Sequence, residues 1–198
     1  MRKIIKKIQP GVDPVLTSLL SALDEGGDPL EATGLHGASR ALVLSFLFRR
    51  LKRTVLAVAP STGEAEALFR DISFFLDSRD VLLHEPWDIR LLSSDDILSL
   101  QQDTIQSRVR VLTRLVSGGP LVIVTSLEAL MERVMPLSVL GEYLEVLSSG
   151  DRLYRDRLID KLISGGYRRV SLVEEPGEFC VRGFILDLFS PAEDAPVR

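Results

Sequence analysis

The chain has 198 residues, 45% of them hydrophobic and 26% charged, which is ordinary for a globular protein with its own core. Its net charge of −4 gives no overall positive field for nucleic acid, and one cysteine with two histidines excludes an internal disulfide and argues against a metal site. No apolar run approaches the roughly 20 residues of a membrane span, and the basic N-terminus lacks a signal-peptide core, so we expect a cytoplasmic protein without membrane contact.

The first predicted elements lead into a glycine-containing loop. A helix is predicted to begin at Asp13, with Pro14 as its first residue, and to end at Gly26-Gly27. A short strand over residues 29–33 follows, and a strongly apolar helix begins after residue 41. A strand, a loop and a helix in this order form the setting of a nucleotide-binding P-loop.

This loop departs from the working P-loop sequence G-x-x-x-x-G-K-[ST]. Ser39, Arg40 and Ala41 stand where the second glycine, the lysine and the hydroxyl residue belong. The lysine neutralises phosphates and the hydroxyl binds magnesium, and Ala41 has no oxygen to offer a metal. Either nucleotide chemistry has been lost here, or this is a turn that never bound a ligand. The candidate residues of this degenerate loop are Gly34, Gly37, Ser39, Arg40 and Ala41.

Two continuous apolar runs, 54–59 and 121–125, predict strands buried on both faces of a sheet. A third, shorter strand is predicted over residues 80–83. Helices alternate with these strands, so we expect an α/β fold with a parallel sheet and helices on both faces.

The helices between these strands carry recognisable start signals and apolar stripes. Capping boxes are predicted at Ser61–Glu64 and at Thr125–Glu128. A long helix before the last strand is predicted to contain Ile105, Val109, Leu112 and Val116.

The pattern changes at Pro136, and we expect domains at 1–136 and 137–198. The second is predicted to be a small α+β unit with a strand over 142–147 and a helix capped by Asp151. A strand over 167–174, a type II turn at Pro176-Gly177 and a returning strand over 178–189 would then form an antiparallel hairpin.

The sequence offers little catalytic chemistry, and we predict no catalytic residue. Neither buried strand ends in the acidic residue that would hold a P-loop metal, and Cys180 has no evident histidine partner. The cluster from His84 to Asp88, which includes Trp87, either covers a sheet edge or lines a ligand cleft. We favour the structural interpretation.

The predicted hairpin carries a candidate protein-binding patch. Period-two alternation places Cys180, Arg182 and Phe184 on one face, provided that Gly183 does not mark a bulge, and Arg169 lies on the preceding strand. Arginine and aromatic residues are enriched in binding hot spots. A surface arginine pair with a core phenylalanine explains the pattern equally well.

Residues 165–170 and 173–189, reading GGYRRV and VEEPGEFCVRGFILDLF, resemble a stretch of the bacterial transcription-repair coupling factors. The excision-repair helicase UvrB shares this stretch more loosely. The loop at 33–41 is similar to that family's degenerate version of the UvrB P-loop, and residues 122–130 match in place. The resemblance covers nearly the whole chain.

The resemblance implies a UvrB-like N-terminal module: a RecA-like subdomain followed by most of a UvrA-binding domain. In that family, Arg169 and Arg182 match arginines that contact UvrA, and Phe184 stands where a small residue is usual. We therefore expect a monomeric, non-catalytic adaptor that recruits UvrA to lesions where RNA polymerase has stalled. ATP, magnesium, RNA polymerase and DNA would bind to domains outside these residues, in a full-length ATP-dependent translocase.

Two alternatives stay open at this point. One is a fragment of an ATP-dependent helicase of the UvrB type, which needs a competent nucleotide loop. The other is an autoinhibitory structural module whose hairpin patch is masked by further domains.

Overall fold

The computed structural model describes residues 14, 16–26, 29–87, 97–193 and 195–198. The predicted cap at Asp13 and the residues 88–96 lie outside this part. Helix α1 covers residues 16–25. The other elements are α2 (Ser39–Leu51), β1 (Val55–Ala59), α3 (Thr62–Phe75), β2 (Val81–His84), α4 (Ile97–Ser117), β3 (Val122–Ser126), α5 (Leu127–Leu130), α6 (Leu137–Tyr143), α7 (Arg155–Ser164), β4 (Arg168–Arg169), β5 (Glu178–Arg182) and β6 (Ile185–Phe189).

The first sheet is parallel, as predicted, with the strand order β1-β3-β2. Strand β3 lies in the centre, and all five of its residues are buried. Helices α2 and α3 pack on one face of the sheet, and α4 packs on the other. The α/β fold class with helices on both faces is therefore confirmed.

Strand β1 differs from the prediction because one of its faces is exposed. Ala57 and Ala59 are buried under α2 and α3, but Leu56 and Val58 are 52% and 44% exposed. Leu56 is in register with Ile123 of β3, which α4 covers. Helix α4 packs on β2 and β3 and leaves this face of the edge strand β1 uncovered.

The two predicted capping boxes place the starts of α3 and α5 to within one residue. Ser61 caps α3 by accepting a hydrogen bond from the amide of Glu64 at 3.3 Å, as the capping box predicts. The cap of α5 is Ser126, which accepts from the amide of Ala129 at 3.2 Å, and not the predicted Thr125. Thr125 still belongs to β3, where its hydroxyl bonds to the carbonyl of His84.

Three other local predictions are wrong. Residues 29–36 are irregular rather than a strand, and residues 142–147 finish helix α6 and continue as coil. Asp151 accepts a hydrogen bond from the amide of Ser148 and does not cap α7, which begins four residues later.

The buried face of α4 does not coincide with the apolar residues named from the sequence. Arg108 and Val111 are 5% and 2% exposed, whereas Ile105 is 42% exposed and Val116 39%. The buried Arg108 donates to the carbonyl of Glu85 after β2 and to Glu132 after α5, so polar contacts add to the apolar packing of this helix. No helix in the described part of the chain is both long and apolar enough to cross a membrane.

The second sheet has the order β4-β5-β6 and is mixed. Strands β5 and β6 form an antiparallel hairpin that pairs Arg182 with Ile185. Strand β4, much shorter than predicted, pairs in parallel with β5. The predicted hairpin turn at Pro176-Gly177 is therefore wrong, because that turn links two parallel strands; the hairpin turns at Gly183. The division at residue 136 stays a prediction.

Candidate protein-docking surface

The loop before α2 closes on itself. Gly34 and Gly37 have positive φ angles of 77° and 54°, and the amide and hydroxyl of Ser39 both donate to the carbonyl of His36. Arg40 is exposed, whereas Ala41 is fully buried in the core between α2, α3 and the sheet. The two residues that would contact a nucleotide and its metal thus face solvent and the core respectively.

The carboxyl ends of β2 and β3 carry a charged cluster formed by His84, Trp87, Arg108 and Glu132. Arg108 donates to Glu132 at 2.7 Å, and its guanidinium lies 4.8 Å from the centroid of the Trp87 ring. Glu132 also accepts from the Trp87 amide, and burial followed by the Arg108 cation lowers the pKa of His84. Arg108 and Glu132 pair with each other and His84 bonds to Thr125 of β3, which supports the structural interpretation of the segment after β2.

Within the described part of the chain, no group of three or more His, Cys, Asp or Glu side chains is arranged to hold a metal ion. The carboxylates of the second sheet instead accept hydrogen bonds from arginines and backbone amides. Two of them, Glu178 and Asp187, are buried, and they organise the two ends of strand β5.

The carboxylate of Glu178 holds the loop that joins β4 to β5. Its Oε2 accepts from the amides of Glu174 and Glu175, both at 3.0 Å, and its Oε1 accepts from Arg168 at 2.7 Å. The two amides, with Arg168 adding to them, lower the pKa of Glu178. Parallel strands ordinarily need a longer connection. Here a buried carboxylate supplies hydrogen bonds that the short loop lacks.

At the other end of β5, Asp187 lies between two arginines. Arg182 donates to its Oδ2 at 2.7 Å, and Nε of Arg198 donates to its Oδ1 at 2.7 Å. These bonds, from Arg198 first, lower the pKa of Asp187 to about 2. The carboxylate is 11% exposed and the two arginine side chains are 54% and 67% exposed, so a buried anion supports two solvent-facing cations.

The three charged side chains border a cleft of about 300 Å³. Its apolar wall comes from the β4–β5 connection and from the last residues of the chain: Leu172, Val173, Pro196 and Val197. Val197 pairs with Leu188 of β6 through two backbone hydrogen bonds of 2.8 and 3.0 Å, which brings Arg198 to Asp187.

Phe184 occupies the tip of the hairpin. Gly183 and Phe184 form a two-residue turn in which only Gly183 has a positive φ, the pattern of a type II′ turn. Phe184 therefore leaves the strand face on which the alternation placed it, and its side chain is 101% exposed. Arg155 at the start of α7 donates to the Gly183 carbonyl at 3.1 Å and ties the turn to the helix.

Arg169 is exposed, but the register separates it from Arg182. It lies beside Phe179, whereas Arg168 lies beside Glu178, on the face of β5 that also carries Cys180 and Arg182. The structure thus brings Arg182 and Phe184 to one end of the hairpin and leaves Arg169 on the opposite strand face.

Arg198 and Asp187 were not among the predicted site residues, and neither was Arg168. Alternation could have found Asp187, since it is the acidic residue in an otherwise apolar strand of the sequence ILDLF. Arg198 reaches Asp187 only because Val197 pairs with Leu188, and no local sequence pattern predicts that pairing.

Known proteins resemble this chain over both of its sheets. Residues 146–198 match the model of the UvrB interaction domain. Over 177 residues, 87% of this chain and 15% of the relative, the chain is 36% identical to the transcription-repair-coupling factor of Myxococcus xanthus. It is 35% identical to that of Escherichia coli over 83% of the chain, and 26% identical to that of Bacillus subtilis over 91%. The chain spans about 15% of the length of these curated relatives.

Proposed function

We propose that this chain, which belongs to the transcription-repair-coupling factor family, docks UvrA through its second sheet in transcription-coupled nucleotide excision repair. The docking surface is the end of the β5–β6 hairpin, with Arg182 and Phe184 as its central contacts. In the full-length protein, the module would bring UvrA to lesions where RNA polymerase has stalled. RNA polymerase and DNA would be engaged by other parts of a cytoplasmic, ATP-dependent translocase.

The observation that carries this proposal is the complete exposure of Phe184 on a turn that is held in place. Exposing a phenylalanine costs solubility and contributes nothing to the core of this unit. The side chain stands on a two-residue turn that Arg155 ties to α7, and a preorganised turn loses less freedom on docking. A rigid aromatic beside an oriented arginine is the composition of a binding hot spot.

We further propose that these residues catalyse no reaction and bind no nucleotide. A metal-binding hydroxyl at position 41 would have to enter the fully buried core, and Arg40 points to solvent. ATP and magnesium would then serve only the motor outside this chain. ATP turnover by this chain that disappears on changing Arg40 to Ala would refute this and favour the helicase alternative.

The docking proposal is tested by calorimetric titration of purified UvrA with this chain. Phe184→Ala and Arg182→Ala should each weaken binding by about 2 kcal/mol or more if they are hot spots. Arg70→Ala, on an exposed position of α3 in the first unit, is the matched control and should leave the affinity unchanged. Equal affinity of all four proteins would show that UvrA, if it binds, uses another surface.

Arg169 receives a separate test because it lies on the other strand face. The family resemblance makes it a UvrA contact, so Arg169→Ala should also weaken binding. A partner that contacts both arginines would have to wrap around the edge strand β4. Loss of affinity on changing Arg182 but not Arg169 would confine the interface to the hairpin end.

A further inference from the structure

The two arginines beside the cleft share a single buried carboxylate. Arg182 reaches Asp187 diagonally across the β5–β6 pair, and Arg198 reaches it from the segment bridged to β6. Each guanidinium offers one side to Asp187 and keeps other N–H groups directed away from it. Two cations this close repel each other, so they stay adjacent only because the carboxylate lies between them.

If the arginine bonds were lost, water could not easily replace them at the Asp187 carboxylate. Its side chain is only 11% exposed, so water replaces little of what the arginines supply. The arginines are more than half exposed, and without Asp187 they would turn toward solvent and away from each other. Asp187 therefore determines the arginines' direction, whereas the arginines do not determine its position in β6.

We propose that Asp187 is a positioning residue that holds Arg182 and Arg198 side by side, and that Arg198 joins Arg182 in the surface that contacts UvrA. This inference rests on the proposed function, because it concerns the same hairpin end. An arginine held before binding loses less rotamer freedom on docking, and two adjacent guanidiniums can bind one carboxylate or two carbonyl oxygens of the partner. The apolar wall of the cleft would receive the neighbouring part of the partner's chain.

Positioning and simple electrostatics predict opposite results for Asp187→Asn. The change removes a negative charge and makes the cluster more positive. If long-range attraction to an acidic partner decided affinity, binding would strengthen. If positioning decides it, UvrA affinity falls, and we expect a loss of about tenfold.

A double-mutant cycle separates positioning from a fold defect. In a chain with Arg182→Ala and Arg198→Ala, adding Asp187→Asn should change UvrA affinity no further, because the residues through which Asp187 acts are gone. A merely structural role of Asp187 would persist in that background. Asp187→Glu, which keeps the charge, should recover part of the lost affinity.

Each result bears on one of the two proposals. If Arg182→Ala alone leaves UvrA affinity unchanged, the docking surface itself is wrong. If Arg182→Ala weakens binding but Asp187→Asn strengthens it or has no effect, only the positioning inference is overturned. Unchanged affinity of Arg198→Ala would remove Arg198 from the surface.

Discussion

The buried carboxylate of Glu178 makes a quantitative prediction for the stability of the second unit. Glu178→Gln keeps the size of the side chain but removes its charge, and it turns an amide NH₂ either toward Arg168 or toward the two backbone amides. In both orientations at least one charge-assisted hydrogen bond is lost. Such a bond contributes about 1.5–3 kcal/mol. Since Arg168 is 63% exposed and can turn to water, we expect a loss near the lower limit, about 2 kcal/mol.

The measurement is urea unfolding followed by circular dichroism, with hydrogen exchange of the amides of residues 170–180 as the local readout. Trp87 lies in the first unit, so its fluorescence does not report on this loop. Glu174→Gln is the matched control: it makes the same chemical change in the same loop at an exposed side chain. We expect it to stay within about 0.5 kcal/mol of the wild type. Equal stability of the two variants would refute the role assigned to Glu178.

The stability difference between the wild type and Glu178→Gln should also depend on pH. The folded-state pKa of Glu178 is lowered from 4.5, so the ionised carboxylate stabilises the fold above that pH. This stability is lost as the pH falls through the lowered pKa. The difference between wild type and Glu178→Gln should therefore be constant from neutral pH down to 4.5 and shrink below it. A difference that persists in strong acid would contradict the assignment.

Three further variants test the structure. Phe179→Ala, at a fully buried position, should cost about 3–5 kcal/mol in urea unfolding, whereas Phe184→Ala should change stability by less than about 0.5 kcal/mol; similar costs would refute the burial assigned to them. Arg108→Ala should red-shift the emission of Trp87, the only tryptophan, because the ring loses its guanidinium cover; an unchanged spectrum would contradict the stacking. Gly183→Ala should lower the free energy of unfolding by about 1–2 kcal/mol, because φ is 61° there and the added Cβ makes no compensating contact. Gly63→Ala, in helix α3, is the control; a smaller loss for Gly183→Ala than for this control would refute the turn geometry.

The parallel sheet was predictable because its strands coincide with short, predominantly apolar runs. Residues 54–59 and 121–125 lie within one residue of β1 and β3, and residues 80–83 match β2 to the same precision. What these runs do not reveal is which strand lies at the edge. Strands β1 and β3 are both predicted from continuous apolar runs, yet β3 has helices on both faces whereas one face of β1 is exposed.

The second sheet was harder to predict because its pairing depends on side chains. Pro176-Gly177 does form a turn, with the amide of Glu178 bonded to the carbonyl of Glu175. The turn leads to a parallel pair because the Glu178 carboxylate accepts hydrogen bonds from the loop amides of Glu174 and Glu175. Strand propensities do not contain this side-chain contact. The burial of Arg108 was not predicted for a similar reason: an arginine in an amphipathic helix is ordinarily solvent-facing, and its half-buried partner Glu132 is 24 residues away.

The binding assignment of Arg169, Arg182 and Phe184 stays a prediction. Its location followed from the resemblance to a known family, and the exposure of all three residues is compatible with it. Their arrangement required the strand register and the turn, which together separate Arg169 from the other two.

The uncovered face of β1 has a practical consequence for handling this chain in isolation. A strand at the edge of a sheet with Leu56 and Val58 exposed is a template on which a second chain can add a strand. Concentrated preparations should therefore self-associate through this edge and lose protein on storage or during refolding. A lysine at position 56 would place a charge on the exposed face without touching the alanines packed beneath it, and it would keep the chain monodisperse for the binding experiments.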